Sequence, residues 1–151
     1  MKIAFLAYTY GTNGIEIPKG KEYCINFIDK DLIKEHIALA KEQNVDVICV
    51  SMHWGDEYVS LPSKEIKELS NWLIEQGVNH VIGNHPHVLQ PIEIRESETT
   101  PDRHVVAYSI GNLISNMSLR RTDGGIMVGM ELTRILNYTR VSVKIPSQRN
   151  L

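Results

Sequence analysis

A nearly continuous apolar run, Val45-Asp46-Val47-Ile48-Cys49-Val50, is the strongest indication of the fold class. Runs of this kind are typical of strands that are covered on both faces of a sheet. It directly follows residues 30–43, in which Ile33, Ile37 and Ala40 share one face of a predicted helix. An amphipathic helix leading into a buried strand indicates an α/β fold.

The same alternation of strand and helix extends in both directions. Residues 2–8 are predicted to form a strand, and Asp29 is a suitable N-cap for the helix after it. Downstream, a second helix begins near Pro62 and ends at Gly77, and a third strand covers residues 78–83. Right-handed crossovers between these strands predict a parallel βαβαβ sheet.

The chain changes character after the third strand. Helical periodicity disappears, and alternating or β-branched residues predict strands near 90–95, 105–110, 125–133 and 139–145. The polar segment 96–102 is predicted to be a solvated loop. The sequence therefore predicts an α/β fold with a parallel first half and a β-rich second half, in a single domain over residues 1–151.

The composition is that of an ordinary globular domain, with 42% apolar and 23% charged residues. A formal charge of −2 without blocks of like charge argues against nucleic acid as the main partner. Cys24 and Cys49 lack metal-binding or redox spacing and are expected to be ordinary thiols. The first apolar run is too short for a signal-peptide core or a membrane span, so we expect a soluble chain, although a leader can precede Met1 in a longer parent.

Histidines cluster at the carboxyl ends of the second and third strands, where ligands gather in parallel sheets. His53 follows the second strand, and His85-Pro86-His87 follows the third. Pro86 is expected to hold His85 extended, so that the two imidazoles of this segment point to the same side, roughly 6–7 Å apart at Cα. His53, His85 and His87 are therefore predicted metal ligands that chelate one ion or share a close pair.

Other chemistry-bearing side chains lie close to these histidines in the sequence. Asp56 and Glu57 are predicted catalytic residues that orient a ligating imidazole or exchange protons near the metal, with solvated loop charges as the alternative. The candidate substrate contacts are Trp54, Tyr58, Asn112 and Asn13. Packing of the aromatic pair and an ordinary turn around Gly-Asn remain the alternatives. His36, His80 and His104 are assigned no role.

Four ordered segments, residues 8–14, 53–58, 83–90 and 108–112, resemble the bacterial CapA capsule-synthesis family. That family is associated with poly-γ-glutamate capsules and is related to calcineurin-like metallophosphoesterases. The resemblance extends over nearly the whole chain and implies part of an α/β sandwich. It also implies that His53 matches the family's lone metal-ligand histidine, and that His85 and His87 match its closing His-x-His pair.

The resemblance further implies that residues 1–151 are the C-terminal portion of such a domain. The family's Gly-Asp and Asn-Asn-His motifs have no counterpart here, and Asn84 stands where the family often has histidine. A two-metal site needs roughly six to eight ligands. We therefore expect an incomplete site that binds at most one divalent ion (Zn, Mn or Fe) weakly. A complementing chain or a homo-oligomer would supply the missing ligands.

Two classes of function follow from the resemblance. The first is a metallophosphoesterase-like CapA protein that acts at the bacterial cell envelope in the biosynthesis or export of an anionic capsule polymer, with little activity in the isolated chain. The alternative is a non-catalytic module that binds the polymer or its synthesis machinery, and a truncated, degenerate gene product is a third interpretation. Metal content of the purified protein is expected to separate the first two.

Overall fold

The computed structural model describes residues 1–96, 103–135 and 138–144. A short 3-10 helix covers Glu22–Cys24, and the other elements are β1 (Ile3–Thr9), α1 (Lys30–Glu42), β2 (Val47–His53), α2 (Lys64–Glu75), β3 (His80–Asn84), β4 (Ile92–Glu96), β5 (Arg103–Ala107), β6 (Gly129–Ile135) and β7 (Tyr138–Lys144). The predicted order of elements is confirmed, with ends that differ by a few residues. Except for Glu96, the predicted loop at 96–102 lies outside the described residues, as does residue 145.

The strands described in the structure form a five-stranded sheet and a separate pair. The sheet has the order β1-β2-β3-β5-β4, in which β1, β2, β3 and β5 are parallel and β4 runs antiparallel to β5. Strands β6 and β7 pair antiparallel with each other. The predicted α/β class and the parallel βαβαβ first half are confirmed.

Both helices that the structure describes pack on the same face of the sheet, as successive right-handed crossovers require. The Asp29 side chain accepts hydrogen bonds from two backbone N–H groups of the first turn of α1, which confirms the predicted N-cap. The α1 residues Ile33, Ile37 and Ala40 are buried, as their spacing predicts. No helix within the described residues is long and apolar enough to cross a membrane.

The face of the sheet opposite the two α-helices is buried at β2 but exposed at the edge strand β1. Residues 47–50 of β2 are at most 5% exposed, in agreement with a strand covered on both faces. In the edge strand β1, Ala4 and Leu6 pack against the helix-side core, so alternation directs Ile3 and Phe5 to the opposite face. Phe5 is 77% exposed and Ile3 is 39% exposed. The edge of the sheet at β1 therefore presents an apolar face to solvent.

Strand β3 comes unusually close to the residues that follow β5. A Cβ atom on Gly83 would lie 2.0 Å from the carbonyl oxygen of Tyr108 and 2.5 Å from Nε1 of Trp54. The fully buried Trp54 ring donates its Nε1–H to the same carbonyl oxygen at 2.9 Å. Only glycine fits at position 83, and this contact sets the position of the chain just before the histidine-rich turn.

Candidate metal centre

The parallel register brings the carboxyl ends of β1, β2 and β3 together. Thr9 is opposite His53, and His53 is opposite Asn84, the residue before His85. The ring centroids of His53 and His85 lie 4.5 Å apart. Residues that are 32 positions apart in the chain thus meet at the sheet edge that the strand-end rule selects.

The backbone of the His-Pro-His segment differs from the sequence prediction. His85 has φ 101° and His87 has φ 60°, so the prediction of an extended His85 is wrong. A following proline disfavours the right-handed helical region but does not exclude positive φ. The segment is held by the Asn84 side chain, which accepts from the His85 N–H at 2.9 Å, and by the Tyr58 N–H, which donates to the Pro86 carbonyl at 2.8 Å. Positive φ at residues other than glycine is strained and clusters at functional sites.

Glu57, His85 and His87 form a compact group of metal-ligand atoms, with one atom from each residue within 4.8 Å of the others. Glu57 Oε1 lies 3.8 Å from His87 Nε2. The His85 side chain is buried, and its Nδ1 has no hydrogen-bond partner among the described residues. Buried polar atoms are normally satisfied, and an orphaned imidazole nitrogen is the atom that a metal ion would take. The donor set of two imidazoles and one carboxylate therefore fits a divalent ion such as zinc, manganese or iron.

Asn112 determines which nitrogen of His87 is available. The Asn112 Nδ2 donates to the Thr122 carbonyl at 3.0 Å, so its Oδ1 faces His87 Nδ1, also at 3.0 Å. Because an amide oxygen only accepts, His87 Nδ1 must carry the proton and donate. The lone pair is then on Nε2, the nitrogen nearest Glu57. Asn112, predicted to contact substrate, is engaged in this structure in orienting His87, as outer-shell residues of metal sites do.

Burial keeps the neighbouring imidazoles neutral. It lowers the pKa of His53 below its usual 6.5, the proximity of the His87 imidazole lowers that pKa further, and Glu57 opposes the shift. Burial also lowers the pKa of His85, with His53 as the next cause and Glu57 again opposing. Neutral imidazole is the form that binds metal ions. Both rings are therefore in the ligand-competent form at neutral pH.

His53 lies beside the donor group, not within it. Its ring packs against the His85 ring. Its nitrogens are not among the ligand atoms of Glu57, His85 and His87 that lie within 4.8 Å of one another. Of the predicted carboxylates, Glu57 supplies a ligand atom, and Asp56 is exposed yet close enough to raise the pKa of His85. The structure thus places two predicted ligands and one predicted catalytic residue in the same group.

The predicted substrate contacts occupy different environments. Tyr58 is 46% exposed and stacks on His87 with ring centroids 6.0 Å apart, so its ring is at the mouth of the site. Trp54 is 0% exposed, and its ring lies in the core. The Trp54 ring points inward, where it lies between Gly83 of β3 and Tyr108 in the chain after β5. Asn13 is exposed and accepts a hydrogen bond from the Tyr10 hydroxyl at 2.8 Å.

Tyr10 is a site residue that the sequence prediction omits. Its ring lies 5.8 Å from the His53 ring, with an angle of 6° between the planes, and 4.6 Å from the His85 ring. The strand-end rule, applied to β1 as it was to β2 and β3, would have selected it. The unassigned His36 and His104 make contacts elsewhere, with the Tyr8 hydroxyl and a backbone carbonyl.

A family comparison identifies the chain. The model of the bacterial capsule synthesis protein family PGA_cap matches residues 1–117, which include the donor group and Asn112. The chain belongs to this family. Membership in the PGA_cap family confirms the resemblance drawn from the sequence motifs.

Two relatives illustrate the similarity to PGA_cap family proteins. The capsule biosynthesis protein CapA of Bacillus anthracis is 27% identical over 124 residues, which cover 78% of this chain and 29% of the relative. The PGA biosynthesis protein CapA of Bacillus subtilis (strain 168) is 30% identical over 106 residues, which cover 70% of this chain and 26% of the relative. The chain therefore matches less than a third of the length of either relative.

Proposed function

We propose that this PGA_cap family chain carries part of a divalent-metal centre of metallophosphoesterase-like type, acting in the biosynthesis or export of an anionic capsule polymer at the cell envelope. The observation that carries the proposal is the donor group of Glu57, His85 and His87, in which the buried Nδ1 of His85 has no hydrogen-bond partner among the described residues. The names of the two relatives, a capsule biosynthesis protein and a PGA biosynthesis protein, support the polymer as the target.

The chain's own residues have distinct roles under this proposal. When bound, the ion supplies Lewis-acid activation of an electrophilic centre. Asn112 holds the His87 ring in the tautomer that leaves Nε2 free, and Tyr58 stacks on the open side of that ring. Glu57 is a ligand in this scheme. Asp56, exposed outside the donor group, is the carboxylate that takes up or returns a proton.

We further propose that ligands from outside this chain complete the centre. Within the described residues the donor group has a single carboxylate, whereas two-metal sites use several carboxylates to clamp their ions. The exposed apolar face at Ile3 and Phe5 supports the presence of a further polypeptide segment or chain beside β1, because exposed apolar patches mark interaction surfaces. That neighbour is the remainder of a longer polypeptide, a complementing chain or a second copy. The isolated chain then binds one ion weakly and has little phosphoesterase activity.

A non-catalytic binding module is the second candidate. The same single carboxylate favours it, since a site with few ligands can contact the anionic polymer or its synthesis machinery without holding a metal. The two candidates predict different metal contents. A stoichiometric ion supports the metal centre, and a metal-free chain with polymer affinity supports the module.

The test is metal binding by the purified chain with matched histidine variants. The chain is equilibrated with zinc or manganese, and bound metal is measured by mass spectrometry and calorimetry. We expect about one ion per chain, with affinity at least tenfold weaker in His85→Ala because a ligand is lost. His104→Ala, which removes a histidine outside the site, is expected to bind like the unaltered chain.

Two results would contradict the proposal. Equal metal binding by His85→Ala and the unaltered chain would show that the donor group does not bind the metal. Rapid metal-dependent hydrolysis of a phosphodiester by the purified chain, lost in His87→Ala, would show instead that no outside ligand is needed.

A further inference from the structure

The imidazole rings of His85 and His87 are held in place in different ways. His87 is held by a hydrogen bond from its Nδ1 to Asn112. His85 has no such bond, because its Nδ1 has no partner among the described residues. An imidazole without a hydrogen bond can turn about its ring torsion unless a packed neighbour prevents it. Two rings pack against it here, that of His53 with centroids 4.5 Å apart and that of Tyr10 with centroids 4.6 Å apart.

Tyr10 is itself fixed at two points. Its backbone N–H donates to the carbonyl of His53 at 2.9 Å, which pins its backbone to the end of β2. Its hydroxyl donates to Asn13 Oδ1 at 2.8 Å, which fixes the far end of the side chain. Between these points the ring lies parallel to the His53 ring and tilted against the His85 ring.

The sequence around Asn13 explains why its side chain is in position. Asn13 has φ 52° and Gly14 has φ 80°, and the Ile15 N–H donates to the Thr12 carbonyl at 3.0 Å. Positive φ at both central residues is the geometry of a type I′ turn, for which Asn-Gly is the preferred pair. The turn therefore presents the Asn13 amide oxygen to the Tyr10 hydroxyl.

We propose that Tyr10 is a positioning residue of the metal centre, and that Asn13 acts through it. The Tyr10 ring restrains the His85 imidazole in its place in the donor group and stacks on the neighbouring His53 ring, and the Asn13 amide keeps the Tyr10 ring there. The role in metal affinity rests on the proposed function. The restraint of the two imidazoles exists in the metal-free chain and can be measured there.

The experiment compares Tyr10→Leu, Tyr10→Phe and Asn13→Gly with the unaltered chain. Cobalt(II) affinity is measured from the visible absorption of the bound ion. Loss of the ring in Tyr10→Leu is expected to weaken cobalt binding by about 10–100-fold, as for other residues that orient metal ligands. Tyr10→Phe keeps the ring and is expected to weaken binding by only about 2–10-fold, since it loses only a hydrogen bond. Asn13→Gly keeps the positive-φ turn and should match Tyr10→Phe.

Tyr23→Leu is the matched control. Tyr23 is 75% exposed and its ring contacts only Lys21 among the interactions described for it. This variant removes a tyrosine ring from the same loop region and is expected to leave cobalt affinity unchanged. An equal loss in Tyr23→Leu and Tyr10→Leu would overturn the proposal.

Imidazole NMR of the metal-free chain separates this proposal from the proposed function. Tyr10→Leu is expected to broaden the ring resonances of His53 and His85, because the two imidazoles become mobile, and to leave those of His36 in place. A change of chemical shift alone reports only the lost ring current of Tyr10. If the unaltered chain binds no cobalt, the proposed metal centre fails while the line widths still decide the role of Tyr10. Unchanged line widths for His53 and His85 would overturn it. If Tyr10→Leu does not fold, matching losses in Tyr10→Phe and Asn13→Gly support the proposal, and unchanged affinity and spectra in both overturn it.

Discussion

Gly83→Ala is expected to destabilise the folded chain severely although it adds one methyl group. The added Cβ would lie 2.0 Å from the Tyr108 carbonyl oxygen, whereas ordinary contacts begin at 3.4 Å. The backbone fixes the position of the Cβ atom, and the oxygen is itself a backbone atom, so no change of rotamer relieves the overlap. The end of β3 must move away from the chain after β5 by more than 1 Å, and the asparagine and histidine that follow Gly83 move with it.

Two contributions determine the magnitude. Overpacking of a tight core contact costs about 1–3 kcal/mol. The added methyl group also lies 2.5 Å from Trp54 Nε1, so the shift breaks the 2.9 Å bond from Trp54 to Tyr108. Both partners of that bond are buried, and leaving them unsatisfied costs about 1–3 kcal/mol more. A loss of about 2–6 kcal/mol is a large part of the roughly 5–15 kcal/mol that stabilises a typical domain.

Urea denaturation followed by tryptophan fluorescence measures this loss, because Trp54 is buried in the folded chain. Gly124→Ala is the matched control: among the described residues, no atom outside its two chain neighbours lies within 4 Å of the added Cβ, and its φ is not positive. The control is expected to stay within about 0.5 kcal/mol of the unaltered chain. A Gly83→Ala variant that stays within about 1 kcal/mol, with an unchanged denaturant slope, would refute the close-approach argument.

Three other predictions concern the site and the thiols. Asn112→Ala is expected to weaken zinc affinity about 10–100-fold, because the His87 ring loses the hydrogen bond that orients it. Asn112→Asp still accepts a hydrogen bond from His87 and should bind zinc within a few-fold of the unaltered chain. Equal calorimetric affinities for both variants and the unaltered chain would contradict the tautomer argument. Exposed Cys24 is expected to react with a thiol reagent in the native chain and buried Cys49 only after unfolding, as a time course with and without urea can show. Burial raises the pKa of Cys49 from 9.0 to about 11, so between those pH values the folded chain keeps a proton that the unfolded chain loses. The free energy of unfolding should therefore fall with rising pH in this window, by about 2–3 kcal/mol in all, and the fall should be shallower in Cys49→Ala.

Element order could be predicted from the sequence because it depends on local patterns. The apolar run at 45–50, the helical spacing of Ile33 and Ile37, and the N-cap at Asp29 each depend on neighbouring residues, and the structure contains all of them. Strand ends were less accurate. Strand β2 continues to His53, three residues past the predicted end, because parallel pairing with β1 and β3 continues there.

The candidate site was only partly accessible to prediction. The strand-end rule selected His53, His85, His87 and Glu57, which the structure brings to one edge of the sheet. It does not distinguish a buried packing ring such as Trp54 from an exposed ring such as Tyr58. That distinction depends on contacts with residues more than 50 positions away.

The order of strands and helices, the family, and the set of histidines from which a metal centre can be built can all be predicted from the amino-acid sequence, because they depend on residue type and local spacing. Three features require the folded chain: the positive φ of His85 and His87, the choice of the protonated nitrogen of His87 by Asn112, and the packing of Tyr10 against the imidazoles. Each of these depends on the contact of segments far apart in the chain. Local pattern carries no information about such contacts until the sheet brings the segments together.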